Sequence, residues 1–565
     1  MLAIGRLPAC CLLPLAGLRL LSFGLLALLM EIGWLALWPV SVGLSHSAEF
    51  TSELLASHGP ATGLLHVGLL AAPFLPGASE TPIAEPLGSS AYVAPAIALA
   101  IVMLFLATVY LVSLRALERG LGAHRSTLWI VLAAALVFQT TLLFLPGLFS
   151  QDIFSYIAYG RLAAIYDLNP YVWPPSAIPR DAVLPWVAEV WRTYAAPYGP
   201  VWLDVQWLMA RAIGSDSIVD QALAYRLLAN ALLLANLGLA WLALGRLTLL
   251  DHAQRATALA LLAWNPLLLF EVAANGHNDV LMVTFSLLAL LLLGRSSNGV
   301  LSGAAFTLGA LVKYLSGVGL VWVAVACSAR AFSWRAQALR LGLVGLVSIA
   351  LGVALAWPWL ELPDSLEPIL AETVGVGFVN ALPDSFALAL ADQVLVPGGV
   401  PQALARELTR SVERPLVLLG FAIYLMWEAR RVWSDPTALA VVRASARSCL
   451  IYILVVSTSM QPWYFCLPVA LTIPLGWRAS LTRVIVGYSV LAVPALYLSY
   501  YLRDATPFWV NLVYGLAPLV PVVTVWLLRR AHSRPHEPAP VGIRHDEQGA
   551  GSHRVTRAIM EEAHR

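Results

Sequence analysis

The sequence predicts an all-α integral membrane protein, a bundle of about 13 transmembrane helices with amphipathic interfacial helices in one large outer loop. Three observations lead there. The 565 residues are 59% hydrophobic and only 12% charged. That is about half the charge of a soluble domain and cannot cover a soluble surface of this length. The apolar residues also come in long blocks, since 91–113 and 127–149 hold no charged side chain. About 20 such residues cross a bilayer as a helix, and backbone groups in lipid must bond internally, which makes helices the default. Third, mean hydropathy over the whole chain is +0.77. A net charge of +2 points away from nucleic acid as a partner. The cysteines, Cys10, Cys11, Cys327, Cys449 and Cys466, sit in or beside apolar segments without metal spacing and read as small hydrophobes.

Taken in order, the expected spans are 18–38, 91–113, 127–149, 221–244, 256–274, 279–294, 300–328, 339–360, 415–429, 447–457, 465–477, 483–501 and 509–528. They divide into an N-terminal hairpin, 1–126, a catalytic module, 127–530, and a tail, 531–565. The tail is polar and basic with Pro and Gly, and is expected to be disordered and cytoplasmic. With both termini cytoplasmic, the inner segments hold 19 arginines and the outer ones eight, which is the positive-inside pattern. Loop 39–90 has no Lys or Arg at all. Both ends of 300–328 look cytoplasmic. That segment is therefore expected to enter and return as two half-helices, with Lys313 near the break.

This topology puts four polar stretches on the outer side. The first, Ser150-Gln151-Asp152-Ile153-Phe154-Ser155-Tyr156, opens a helix on which Asp152, Ser155, Tyr156 and Tyr159 share one face and Ile153, Phe154 and Ile157 the other. A solvated interfacial helix and a functional carboxylate at the headgroup level both fit. Next come Asp167-Leu168-Asn169-Pro170-Tyr171 and Ala196-Pro197-Tyr198-Gly199-Pro200, a rigid, turn-rich surface. Its rings either anchor the interface or stack on sugars. The third stretch is Asn275-Gly276-His277-Asn278-Asp279 between two spans. A tight turn explains Gly276 and one helix cap, but not His277 beside Asp279 as well. The fourth, Ser459-Met460-Gln461-Pro462-Trp463-Tyr464, fits an aromatic belt turn and a binding role equally.

Lys313 is the sharpest compositional signal. The chain has 33 arginines and one lysine, and that lysine lies in an apolar stretch, where a central charge costs about 3 kcal/mol. It either snorkels to an interface or meets an anion such as a phosphate at a helix break. Arg226 and Glu271 also fall within or near spans and can pair inside the bundle. The sequence has no Walker loop, no GxSxG, no HExxH, no convincing dinucleotide fingerprint and no evident internal repeat.

At these residues the chain resembles the GT-C membrane glycosyltransferases that use polyprenyl-phosphate sugars. It is most similar to the bacterial alpha-(1→6) mannosyltransferases that use polyprenyl-phosphomannose. Asp152-Ile153-Phe154-Ser155-Tyr156 with Gly160-Arg161, Asn169-Pro170-Tyr171, Tyr198-Gly199-Pro200, Trp264-Asn265-Pro266, Gly276-His277-Asn278-Asp279, Val312-Lys313-Tyr314 and Pro462-Trp463-Tyr464 carry the resemblance, which covers roughly 127–530. It implies a GT-C-like bundle with an acidic general base in the first large outer loop (150–220), at Asp152. Two features depart from the family's simplest pattern. The hairpin 18–113 precedes the catalytic loop, and the loop lacks an acidic pair such as Asp-Asp or Glu-x-Asp to hold a divalent metal. No cofactor is required, and a divalent metal remains possible but without support from the loop's residues.

The expected reaction is inverting transfer of a hexose, mannose by resemblance, from a polyprenyl-phosphate donor to a glycan or glycolipid acceptor at the outer face of the plasma membrane. Asp152 takes the acceptor proton. Lys313, with Arg161 and His277, meets the donor phosphate. Tyr156, Asn169, Tyr171, Tyr198, Asn278, Asp279, Gln461, Trp463 and Tyr464 hold sugar and acceptor. A transporter or lipid flippase is the alternative, with Lys313 and Arg226 in its path. It calls for repeats and for polar residues at mid-membrane depth, whereas the polar motifs here gather at one surface.

Overall fold

Each expected break in the apolar pattern becomes a break in a helix. The computed structural model describes residues 9–502, except 46, 84–88, 121–124, 215–216, 249, 294–298, 332, 362–381 and 458–459. The expected span 509–528 and the tail 531–565 lie outside the described residues. Regular structure among the described residues is entirely helical. Eight helices are long and apolar enough to cross a membrane, and nine if the bent pair Ala48–Ser57 and Gly59–Phe74 counts as one span.

The remaining expected spans are shorter or more polar than a simple crossing. Segment 279–294 forms Asp279–Leu293, and 465–477 overlaps the apolar helix Pro462–Leu475 and runs two residues past its end. Segment 415–429 lies inside a 33-residue helix, Gln402–Ser434, where charged residues crowd both ends of a short apolar centre. Segment 300–328 is two helices, Val300–Ala310 and Gly317–Ala329, joined through an extended Lys313 and the short 3-10 turn Tyr314–Ser316. They run antiparallel: Gly319 packs on the Phe306 ring and Gly299 meets Cys327. The expected pair of helices broken near Lys313 is therefore the geometry found.

Trp264-Asn265-Pro266 interrupts one span for a definable reason. Helix His252–Ala263 ends, and the Asn265 side chain then accepts from the N–H groups of Leu267 and Leu268 and caps a restart with Pro266 at its first turn. The restart runs into a π-helix, Leu269–Ala274, a wide turn that is frequent at functional sites. Trp264 is fully buried, donates to the Val131 carbonyl at 2.9 Å and stacks on Phe23 at 5.0 Å. The first span thus packs directly on the catalytic module. Tyr110 does the same, donating to the Leu261 carbonyl at 2.9 Å.

One expectation needs correction. Helix Asp152–Ile165 does not lie amphipathically at an interface, because residues 153–164 are all buried. The apolar side is covered by the N-terminal loop and the 170–213 segment, as Phe154 packs edge-on against Phe50 and Trp186. The polar side is covered too, as Tyr156 meets Tyr198 and Trp202. The amphipathic helix of the loop is Pro200–Ile213, with Trp202, Leu203 and Gln206 buried and Leu208 exposed. Cys327, Cys449 and Cys466 are buried free thiols.

Candidate active site

The site is built around the turn that follows the π-helix. Gly276 adopts φ +74°, a left-handed conformation that suits glycine. The reversal lets the His277 N–H donate to the Glu271 carbonyl at 3.1 Å. Asn275 ties the turn to its neighbours: its Oδ1 accepts from the Phe149 N–H at 3.1 Å, and its Nδ2 donates to Glu271 Oε2 at 3.1 Å. The first of these bonds brings in the end of the third span, and so Asp152. The Asp152 N–H donates to Ser150 Oγ at 3.3 Å at the start of its helix.

The side chains then converge. His277 Nδ1 lies 3.6 Å from Asp152 Oδ2, and His277 Nε2 lies 3.3 Å from Glu271 Oε2. The imidazole stacks on Trp463, with centroids 4.0 Å apart and planes 20° apart. Lys313 Nζ donates to Asp279 Oδ2 at 2.6 Å and sits 5.3 Å from the centre of the Tyr464 ring. Three of the four expected polar stretches, 150–156, 275–279 and 461–464, therefore meet at Lys313.

Burial separates their roles. The side chains of Asp152 and Lys313 are each 19% exposed, while those of His277, Glu271 and Asp279 are 0% exposed. The carboxylate and the ammonium are thus the charged groups of the cluster with exposed surface, and the groups behind them have none. Burial pushes the Asp152 carboxyl up to about 6, with Lys313 pulling against the shift and Asp279 adding to it. Asn278 is fully buried, and neither its Oδ1 nor its Nδ2 has a protein partner. With no exposed surface it stands, like His277 and Asp279, behind the accessible pair.

Lys313 is aimed by the loop opposite it. The Gly199 N–H donates to the Val312 carbonyl at 3.2 Å and the Val201 N–H to the Leu311 carbonyl at 3.1 Å. A Cβ at Gly199 would lie 2.0 Å from the Leu311 oxygen. Tyr198-Gly199-Pro200 is therefore a backbone clamp on the hairpin tip, and only glycine allows the approach.

Several expected site residues serve the scaffold instead. Arg161 is bound through Nε and Nη2 to Asp181 at 2.9 Å, and Asp181 also accepts from Tyr166. It lies more than two helical turns from Asp152 and is not brought to the cluster. Asn169 donates to the Trp359 carbonyl and to Glu361, and the Tyr171 hydroxyl donates to the Tyr198 carbonyl at 2.7 Å. These bonds hold the loop's shape. Tyr156 and Tyr198 belong to the aromatic wall beside Asp152, and Gln461 leads into the turn that carries Trp463 and Tyr464. His277 departs from its expected part as a phosphate ligand because it has no exposed surface. Arg226 is buried and donates to the Leu145 carbonyl at 2.7 Å, not to Glu271. The residues missed as parts of the site are Glu271, an acid inside an apolar run, and Asn275. The run itself was the available signal for Glu271. Asn275 shows only once the turn is folded. Among the described residues no three His, Cys, Asp or Glu side chains converge in metal-binding geometry.

Residues 59–329 match the family model described as Alpha-(1->6)-mannopyranosyltransferase, N-terminal domain. That stretch contains Asp152, Glu271, His277, Asp279 and Lys313. The chain is 29% identical over 391 residues to Alpha-(1->6)-mannopyranosyltransferase A of Mycobacterium tuberculosis, covering 66% of this chain and 70% of that one. Over 220 residues it is 30% identical to Alpha-(1->6)-mannopyranosyltransferase B of Corynebacterium glutamicum, covering 36% and 35% of the two chains. A probable alpha-(1->6)-mannopyranosyltransferase of Mycolicibacterium smegmatis is 31% identical over 176 residues, or 31% of this chain and 29% of that one. The helical membrane fold and the carboxylate–lysine cluster fit the class these relatives define, membrane glycosyltransferases. Within that class the matches support a GT-C-type mannosyltransferase family, the one its motifs resemble.

Proposed function

We propose that this protein transfers mannose from a polyprenyl-phosphate donor to a glycan or glycolipid acceptor at the outer face of the membrane, with inversion at the anomeric carbon. The observation that carries the reading is that Asp152 and Lys313, a base and a cation, are the accessible charged groups of an otherwise buried cluster. The distribution of arginines supports the outer face.

The step is a single displacement. The acceptor oxygen attacks C1 of the sugar and gives its proton to Asp152, while the C1–O bond to phosphate breaks and its electrons leave with polyprenyl phosphate. Lys313 Nζ carries three donors and uses one on Asp279. The remaining two face the developing charge on the leaving phosphate. The Trp463 and Tyr464 rings position the sugar.

Asp152→Asn keeps the size and removes the base. In membranes supplied with polyprenyl-phosphate mannose it is expected to cut transfer by about 10²- to 10⁴-fold. Transfer at the wild-type rate removes Asp152 from this role.

A further inference from the structure

His277 is fully buried, and neither of its nitrogens reaches the accessible side of the cluster. Its two nitrogens nevertheless face two carboxyl groups on opposite edges, Asp152 at 3.6 Å and Glu271 at 3.3 Å. We infer that Glu271 and His277 are positioning residues for the base: Glu271 fixes the imidazole, and the imidazole holds the proton that Asp152 has taken. This rests on the role proposed for Asp152 and extends it to two residues behind it.

Glu271 Oε2 accepts from Asn275 Nδ2 at 3.1 Å and from the Tyr497 hydroxyl at 3.3 Å. It faces His277 as an acceptor too, so the proposed tautomer carries its hydrogen on Nε2 and keeps the lone pair on Nδ1, although neither nitrogen has a hydrogen-bond partner in the structure. That lone pair faces Asp152. It suits Asp152 after proton capture, when the carboxyl has an O–H to donate, better than the carboxylate before it. The contacts are long for hydrogen bonds, as is common before substrate binds. Trp463, stacked on the ring, sets its plane, and the π-helix carries Glu271 to its far edge.

The proton balance is simple. The acceptor O–H breaks, Asp152 becomes the neutral acid, and its O–H is shared with His277 Nδ1. It returns to water when the product leaves. Besides one another, the titratable groups that act on Asp152, His277 and Glu271 are Asp279 and Lys313; Tyr156, Cys466 and Tyr497 line the same cluster. A phosphate ligand and a proton-holding imidazole therefore make different predictions within one set of charges.

The test uses the full-length protein in membranes with polyprenyl-phosphate mannose, following rate against pH. His277→Phe keeps a flat ring on Trp463 and removes the nitrogens. It is expected to lower kcat by roughly tenfold or more, to move the acidic limb of the profile to lower pH, and to leave the donor KM within about twofold. Glu271→Gln keeps the shape, weakens the basicity of Nδ1, and is expected to shift the limb in the same direction by less. A lowered rate with the limb unmoved in both variants overturns the inference. So does a donor KM raised about tenfold with the limb unmoved, which would make His277 a phosphate ligand. Asp152→Asn runs alongside as the separate control. If it stays fully active, the proposed function fails, and no behaviour of the other two variants rescues it.

Discussion

The proposed base, Asp152, sits in a half-dry position, and this sets its expected pH response. A base works only when ionised, and burial holds the Asp152 carboxyl at about 6. Transfer is therefore expected to fall as pH drops through about 6 and to level off above it, which a rate–pH profile in membranes checks. Lys313 and Asp279 pose a sharper question, because Lys313 has a structural partner at 2.6 Å as well as a proposed ligand. Removing one member of a buried pair leaves the other charge uncompensated, at a cost of about 3–5 kcal/mol. Lys313→Ala is thus expected both to lower thermal stability and to raise the donor KM. The double variant Lys313→Ala/Asp279→Ala is expected to recover most of the stability and none of the donor use. Recovery of both would make Lys313 a purely structural lysine. At this scale the sequence was informative where a residue type was out of place. One lysine in an apolar run and an Asp directly after an uncharged span were legible. Glu271 was visible only as a buried acid without a role, since its partner, His277, is fixed by a π-turn that periodicity does not reveal.

The elements show why weak motifs with no shared chemistry belong together. Tyr198-Gly199-Pro200 carries no reactive group, yet the backbone bonds from Gly199 to Val312 and from the next residue, Val201, to Leu311 decide where Lys313 points. Gly199→Ala adds one methyl group at a point 2.0 Å from the Leu311 oxygen, so the clamp must open. A displacement of about 1 Å at a reacting group can cost on the order of 10²-fold in rate. The variant is expected to lose activity on that scale while retaining its helical content, measured by transfer assay and circular dichroism on the same sample. A variant with wild-type activity would show that the hairpin tip needs no clamp. Trp264-Asn265-Pro266 works similarly, as a capped restart that sets up the π-helix. Hydropathy located the hairpin 300–328 and its break because both flanks carry arginine. It misplaced the faces of helix Asp152–Ile165 because both sides of that helix are covered by other parts of the chain, and an isolated helical pattern carries no record of what covers it.

Over the whole molecule, the N-terminal spans and the catalytic module share a core. Trp264 stands at their junction, between Phe23 and Phe138 and bonded to Val131. Trp264→Ala opens a large cavity and removes the bond to the Val131 carbonyl, a change expected to cost about 3–5 kcal/mol, read as a lower midpoint of thermal unfolding in detergent. Trp264→Phe is expected to fall between the two, since it keeps most of the volume and loses only the N–H. An unchanged midpoint in both would mean the N-terminal spans are dispensable to the fold. The bundle itself was legible from composition, whereas its shared core was not, because contacts between residue 23 and residue 264 leave no trace in local pattern. One property of the sequence follows from Lys313 being its sole lysine. An amine-selective label has a single side-chain target, and that target is the tip of the hairpin. Reductive methylation with isotopically enriched formaldehyde would therefore place one side-chain magnetic-resonance reporter beside Asp279 and Tyr464, distinguishable from a methylated α-amine by its ionisation, and its signal would test whether the proposed donor phosphate meets Lys313.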